Sequence, residues 1–494
     1  MEETERNLRE KIEQEAKNTL KKNMWEGYAN DILTGLQKNP GVQPDRPIWE
    51  LVQNARDVAY ENKKTKIVFI RKQDHFVFQH NGQPFTRTTL QSLILQTSSK
   101  VREDIIQVGQ YGTGFLTTHK FGLDFRLSGS LSLLGGLKFY NFSGRDFIIK
   151  RSAQDKVKLS DDLDATIAKT QQWGLDLNFL EDNPRRETIF EYQHNFNAER
   201  ENTKIAIKEA PKLVPYVLAL NKHIESISFI DEVEGAKEES FTFQNEEIYD
   251  NLENLRVYET TILHSQSGQK DKIISLFLLK SLRCLEEKTG ESKFTIILPF
   301  KKISEGLKVF NFDNSIPRLY LYLPLLGSKD WGGNFLFHSP SFTCDQDSRD
   351  SIMLRFNPQA EVHHDQINKD IIREASDALK KYLTYKYLNL TDVRFLCPIN
   401  FVKGKSDNET NQYYQELQKE WVSFFECLNL VEYEDGKTIP VKSIRVLSNE
   451  LYLACEQDVS LLDAIYNLLS KAVHLILPKK EELLFWSKVI NEWY

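Results

Sequence analysis

Cysteine is scarce in this chain, and none of it is paired by spacing. Cys284, Cys344, Cys397, Cys427 and Cys455 are scattered, odd in number and form no CxxC pair, which argues for a reducing compartment and against a zinc site. The adjacent His363 and His364 diverge on a helix or strand, so they do not read as a metal pair. No apolar run approaches membrane-spanning length. The opening MEETERNLREKIEQ is charged where a secretory leader would carry an apolar core. The net charge is −7, with no Lys/Arg block of the kind that tracks a phosphate backbone, so nucleic acid is disfavoured as a partner. No repeat period is visible. These absences lead to the expectation of a soluble, cytoplasmic protein without a membrane partner.

What is present is an ordinary globular balance, 40% hydrophobic and 27% charged residues over 494 positions, enough for two to four domains. Residues 1–38 read as a helix, with Leu8, Ile12, Ala16, Leu20 and Met24 recurring every fourth position. A second helix is expected from Pro47 to about Glu61, with Asp45 as cap and Pro47 in the first turn. The period then changes to two in TKIVFIRK and HFVFQH, two strands around a tight turn at Gln73 and Asp74. A helical run, Leu90–Gln96, a polar lid-like stretch at 97–111 and a short helix, Phe115–Phe121, follow. Strands with glycine-rich turns (SGS, GG, SGRD) are expected over 123–151, a partly helical insertion over 152–183, and a strand at ETIFEY, 187–192. A second unit is expected from about 200, opening with a helix, Ile205–Leu220. Strands follow near 226–231, 256–263, 293–299, 318–324 and 334–338, then a helix at 366–388. Beyond 400 the pattern is mainly helical. The final EELLFWSKVINEWY is an apolar-striped helix, compatible with an exposed partner-binding end. The layout is 1–40 helical, 41–198 nucleotide-binding, 199–395 α+β and 396–494 mainly helical.

Two features carry chemistry. Ile48, Leu51, Val52, Ala55 and Ala59 form the core face of the second helix, and Glu50, Asn54 and Asp57 form a polar line beside it at i, i+4 and i+7. In VGQYGTGFLTTHKFG, Gly109, Gly112 and Gly114 crowd the entrance of the next short helix. Glycine weakens a helix. At its entrance, glycine leaves backbone N–H groups bare for a phosphate, which the helix dipole favours. An Asn oxygen nearby can complete a Mg²⁺ shell with phosphate oxygens and waters, and a Glu one turn earlier can deprotonate a water.

In this order, ELVQNARD, HNGQP and GQYGTGF resemble the N-box and the two glycine boxes of the GHKL superfamily of ATPases, the last being similar to its heat-shock-chaperone form. TSSK, ending in Lys100, resembles the lid element, and ETIFEY the late strand whose threonine, here Thr188, supports the adenine end. The segment LYLPLLGSKDWGGNFLFHSPSFTCDQDSRDSI is similar to sacsin-like ATPases and makes Arg349 a candidate γ-phosphate contact. The resemblance implies an α+β chain with a GHKL (Bergerat-type) α/β sandwich, a second α+β domain and a mainly helical C-terminal region. It implies ATP and Mg²⁺ as cofactors, Glu50 as general base and Asn54 as the Mg²⁺ ligand. The nucleotide would be held by Asn54, Asp57, His80, Gly82, Lys100, Gly109, Gln110, Tyr111, Gly112, Thr113, Gly114, Phe115 and Thr188. Nucleotide-driven lid closure, homodimerisation and a protein client or effector are implied with it.

Two positions depart from that family. Its aspartate, which accepts from the adenine amino group, is His80 here, and the last glycine of the same box is Pro84. A His accepts only through an unprotonated ring nitrogen, and a missing buried acceptor would cost about 1–3 kcal/mol. An ATP hydrolase of the chaperone kind is therefore weighed against a non-hydrolysing, nucleotide-gated scaffold in stress or antiviral defence. A DNA-acting member is opposed by the acidic balance, and a histidine kinase by the single helix ahead of the nucleotide region.

Overall fold

A computed structural model describes residues 2–38, 41–97, 114–268, 271–285, 292–304, 306–345, 350–401, 408–433, 437–472 and 476–494. The chain is α+β, with extensive β-sheet, packed helices and a mostly helical C-terminal region. It divides into two compact units, 1–243 with 262–276, and 244–261 with 277–494. Among the described residues no helix is long and apolar enough to cross a membrane.

The first unit opens with α1 (Glu2–Gln37). Its every-fourth stripe is exposed throughout, including Leu20 at 73%. A step of four residues drifts about 40° on a 3.6-residue helix, so the row from Leu8 to Met24 winds roughly 160° around the axis and its ends lie on different faces. The helix buries Trp25, Ala29 and Ile32 instead, at i, i+4 and i+7. The short α2 (Arg46–Asp57) stops at Asp57 rather than near Glu61, and Asp45 occupies its N-cap position without a side-chain capping bond. Ile48, Leu51, Val52 and Ala55 are wholly buried, as the helical spacing requires.

The strands β1 (Thr65–Arg71) and β2 (His75–His80) pair as an antiparallel hairpin. The helix α3 (Arg87–Leu95) begins at a capping box between Thr86 and Thr89. Residues Gly114–Lys120 form a 3-10 helix. The strand β3 (Phe125–Leu133) runs straight through Ser128–Gly129–Ser130, so SGS is mid-strand and not a turn. Then come β4 (Lys138–Phe142), β5 (Ile148–Ile149), α4 (Lys156–Gln172), β6 (Leu180–Glu181) and β7 (Thr188–Gln193). The expected helix at 205–220 is α5 (Asn197–Glu209), a 3-10 turn and α6 (Val214–Leu220), interrupted where Pro211 and Pro215 remove backbone donors.

Strand β8 (Ile224–Asp231), expected to belong to a second unit, instead hydrogen-bonds in parallel to β1. The sheet order here is β8, β1, β2, β7, β3, β4, β6, with β5 on β3. Phe69 stacks on Phe76, Phe78 and Phe229 across these strands. Two strands that the sequence pattern did not predict, Lys237–Leu252 and Lys272–Leu285, flank Leu255–Ser267.

In the second unit Ser292–Leu298 pairs with 280–285 and with Leu336–His338. Helices His364–Lys386, Asn408–Glu426 and Lys480–Trp493 pack a core in which Phe335 stacks on Trp421 and Trp486 is wholly buried. The terminal helix spends its apolar stripe here, through Trp486, Val489 and Trp493, so that stripe is internal rather than partner-binding. A small hairpin, Asn429–Tyr433 with Lys437–Pro440, interrupts the expected run of helices.

Candidate functional site

The amphipathic α2 places its polar line beside the 3-10 turn that follows the glycine run. Glu50 is half-buried, and Nη2 of Arg46, one turn earlier, lies 3.3 Å from its Oε1. A side chain on Gly114 would overlap that carboxylate, its Cβ falling 2.8 Å from Glu50 Cδ. A side chain there would require the Glu50 carboxylate, the far end of a flexible side chain, to shift. The turn is fixed from below. Thr117 and Thr118 hydroxyls donate back to Gly114 O and Phe115 O, and Tyr192 Oη donates to Thr118 Oγ1 at 3.0 Å. Gly122 ends the turn because a Cβ there would strike the β7 backbone, 2.5 Å from Gln193 O. Phe115 packs its ring 6.0 Å from Phe190 and 5.9 Å from Phe125.

Asn54 is half-buried on the same line, and its side chain has no hydrogen-bond partner among the described residues. Asp57 is more enclosed, 3.7 Å from Arg56, and its charge opposes the burial that lowers the His223 pKa.

The chain leaving β2 returns to the end of α2. Gln83 N donates to Val58 O at 2.7 Å, and a Cβ on Gly82 would fall 2.8 Å from that same oxygen. Phe85 N donates to Ser130 O on β3. Pro84 sits between these two donors, where no N–H is required.

His80 is 5% exposed and lies directly opposite Thr188 in the β2–β7 register. Gly129 of β3 comes next in the row, and a Cβ there would sit 3.5 Å from Thr188 Oγ1. Side chains at paired positions of an antiparallel ladder share a face, so His80, Thr188 and Gly129 form one strip across three strands, covered at Gly129 by the Phe142 ring, 3.2 Å from where its Cβ would be. The Gly82 N–H donates to His80 Nδ1 at 3.1 Å. Burial pushes the His80 pKa down to about 4, so the ring is neutral at physiological pH. Nearby, His119 is pushed down to about 3 by burial and by the Arg151 cation.

The structure thus brings Glu50 to Gly114, and His80 to Gly82 and Thr188. Lys100, Gly109, Gln110, Tyr111, Gly112, Thr113 and Arg349, with the lid-like stretch beyond Thr97, lie outside the described residues. Three contributors were not singled out from sequence: Arg46, Val58 and Gly129. Arg46 had a signal, its i, i+4 spacing to Glu50. Gly129 had none, because its neighbours on β7 are about 60 residues away in the chain. Among the described residues no cluster of three or more His, Cys, Asp or Glu side chains could hold a metal. A Mg²⁺ ion coordinated mainly by phosphate oxygens and water would find one protein ligand here, the Asn54 side-chain oxygen, which has no hydrogen-bond partner among the described residues. The chain matches no protein-family model and no curated protein.

Proposed function

We propose that this chain is a GHKL-type nucleotide-binding protein that hydrolyses ATP with Mg²⁺, in a chaperone-like cycle of lid closure and dimerisation in the cytoplasm. The observation that carries the reading is the apposition of Glu50 and Gly114. It sets a carboxylate from the helix of the E-x-x-x-N motif against the last glycine of GQYGTGF, where a water next to a terminal phosphate would need a base. Arg46 holds that carboxylate in one orientation. Asn54, one turn on, would hold Mg²⁺ through its side-chain oxygen. The ion, when bound, would offset the charge of the phosphates. The row of His80, Thr188 and Gly129 would floor the base end.

Turnover separates this reading from the alternative. Wild-type protein should hydrolyse Mg–ATP, and Glu50→Ala should bind nucleotide but lose turnover by about 10²-fold or more. Activity that survives Glu50→Ala would overturn the assignment. Binding without turnover in the wild type would mark a nucleotide-gated scaffold, a reading favoured by the ion pair that already engages the Glu50 carboxylate with Arg46.

A further inference from the structure

We propose that the first unit carries a docking surface for a second copy of this chain, formed by two adjoining loops and filled by the N-terminal half of the other copy's α1. The inference needs no nucleotide and is independent of the reading above. Leu134 and Leu137 flank the β3–β4 turn, and Leu175, Leu177 and Phe179 lie in the loop between α4 and β6. All five are 64–76% exposed. Apolar side chains scattered singly on a surface mean little, but five on two joined loops mark a contact surface.

The two loops are tied together. Strand β4 pairs with β6, Tyr140 opposite Leu180. Trp173 stacks on Tyr140 and Phe142, at 5.2 Å and 4.6 Å, and its carbonyl accepts from Arg87 Nη2 at 2.8 Å. Gly174, at φ +83, leaves no room for a Cβ against Leu133 Cδ1. Leu134 is held at φ +50, ahead of Gly135 at +68. That backbone region disfavours a bulky residue, so the turn keeps a leucine in solvent at a conformational cost.

The occupant is the other uncovered apolar face of this unit. Lys21 of α1 pairs with Asp164 of α4 at 2.8 Å, and Glu26 with Lys156 at 2.7 Å, so the two helices run antiparallel. Residues before Lys21 therefore extend toward the C-terminal end of α4, the end that opens into the 175–179 loop. Leu8 and Ile12 are 58% and 57% exposed on that stretch. They lie about 40° apart on the helix, with exposed Ala16 about 40° further on. A helix with solvent on every side is marginal by itself. With the helix face and the loops at one end, a two-fold axis beyond it lets each α1 reach the other copy's loops, the closed arrangement of most dimers. Burying a leucine-sized side chain removes on the order of 100 Å², so two such exchanges reach about 1,200 Å², where specific interfaces begin. A lipid surface fits less well. Asp176 sits between Leu175 and Leu177, and Lys138, beside Leu137, is paired with Asp182 at 2.6 Å, so neither loop offers an unpaired cation to anionic headgroups.

Sedimentation of the full-length protein without nucleotide tests this. Wild type should be dimeric at micromolar concentration. Leu177→Ser with Phe179→Ser should weaken the dimer about tenfold or more, and so should Leu8→Ser with Ile12→Ser. All four side chains are more than half exposed, so folding should survive, and melting curves check it. Mixed together, the two double variants should associate, because one exchange then joins an intact helix to an intact patch. Ile12→Cys with Leu177→Cys should cross-link between chains on oxidation, and neither single variant should, which controls for the exposed Cys427. A monomeric wild type overturns the proposal, and vesicle binding lost in Leu177→Ser with Phe179→Ser would then assign the patch to a lipid surface. A dimer that persists unweakened in either double variant overturns it as well.

Discussion

Gly114 lies against the carboxylate of Glu50, two residues 64 positions apart whose contact leaves no room for a Cβ between them. The glycine closest to the short helix is therefore occupied on one side by the chain's own acid. Its neighbour in the i−4 direction, Arg46, completes the arrangement at 3.3 Å.

Gly114→Ala should displace Glu50 or the turn, at a cost of about 1–3 kcal/mol for an overpacked site. Glu50→Ala alone should change stability little, and combined with Gly114→Ala it should recover most of the loss. A thermal double-mutant cycle reads this directly. Purely additive melting temperatures would mean that the two side chains do not share that space.

Gly129→Val should keep the strand, since a β-branched residue suits it, while filling the space beside Thr188. We expect nucleotide affinity to fall about tenfold or more, with Phe142, 3.2 Å from the added Cβ, forced to shift. Calorimetry alongside a melting curve separates the two effects. Unchanged affinity would place the base elsewhere.

Three buried histidines make the fold acid-sensitive. Burial holds His80 and His194 at about 4 and His119 at about 3, while each would titrate near 6.5 in the unfolded chain. The unfolded state therefore binds more protons than the native state between those values. Their contribution to stability is fully present above about pH 6.5 and is lost as the pH falls toward 4. Melting temperature should drop across pH 6.5 to 5, and His119→Gln should flatten that slope. A flat profile in the wild type would show that these rings are hydrated.

Trp486→Ala should destabilise the second unit by about 3–5 kcal/mol, the usual cost of a large cavity in a packed core. Trp486 is wholly buried, and Nε1 donates to Glu482 Oε2 at 3.1 Å. Denaturant unfolding would measure the change. A loss under 1 kcal/mol would mean that the terminal helix is docked weakly.

The local pattern by itself determined much of this protein. Alternation in TKIVFIRK and HFVFQH defined β1 and β2 to within a residue or so, and the spacing of Ile48, Leu51, Val52 and Ala55 defined the buried face of α2. Those signals are short-range, set by the period of the backbone. The same logic found the helix α1, but it read SGS as a turn because glycine's role there depends on the neighbouring strands. The sequence also placed Glu50, His80 and Thr188 in an ordered set of motifs. Only the tertiary structure decided that Glu50 fills the space beside Gly114, that β8 pairs in parallel with β1, and that His80 turns its lone pair to Gly82. Each of these is a contact between chain segments, or a choice of tautomer made by one hydrogen-bond donor, and neither leaves a periodic trace in the sequence.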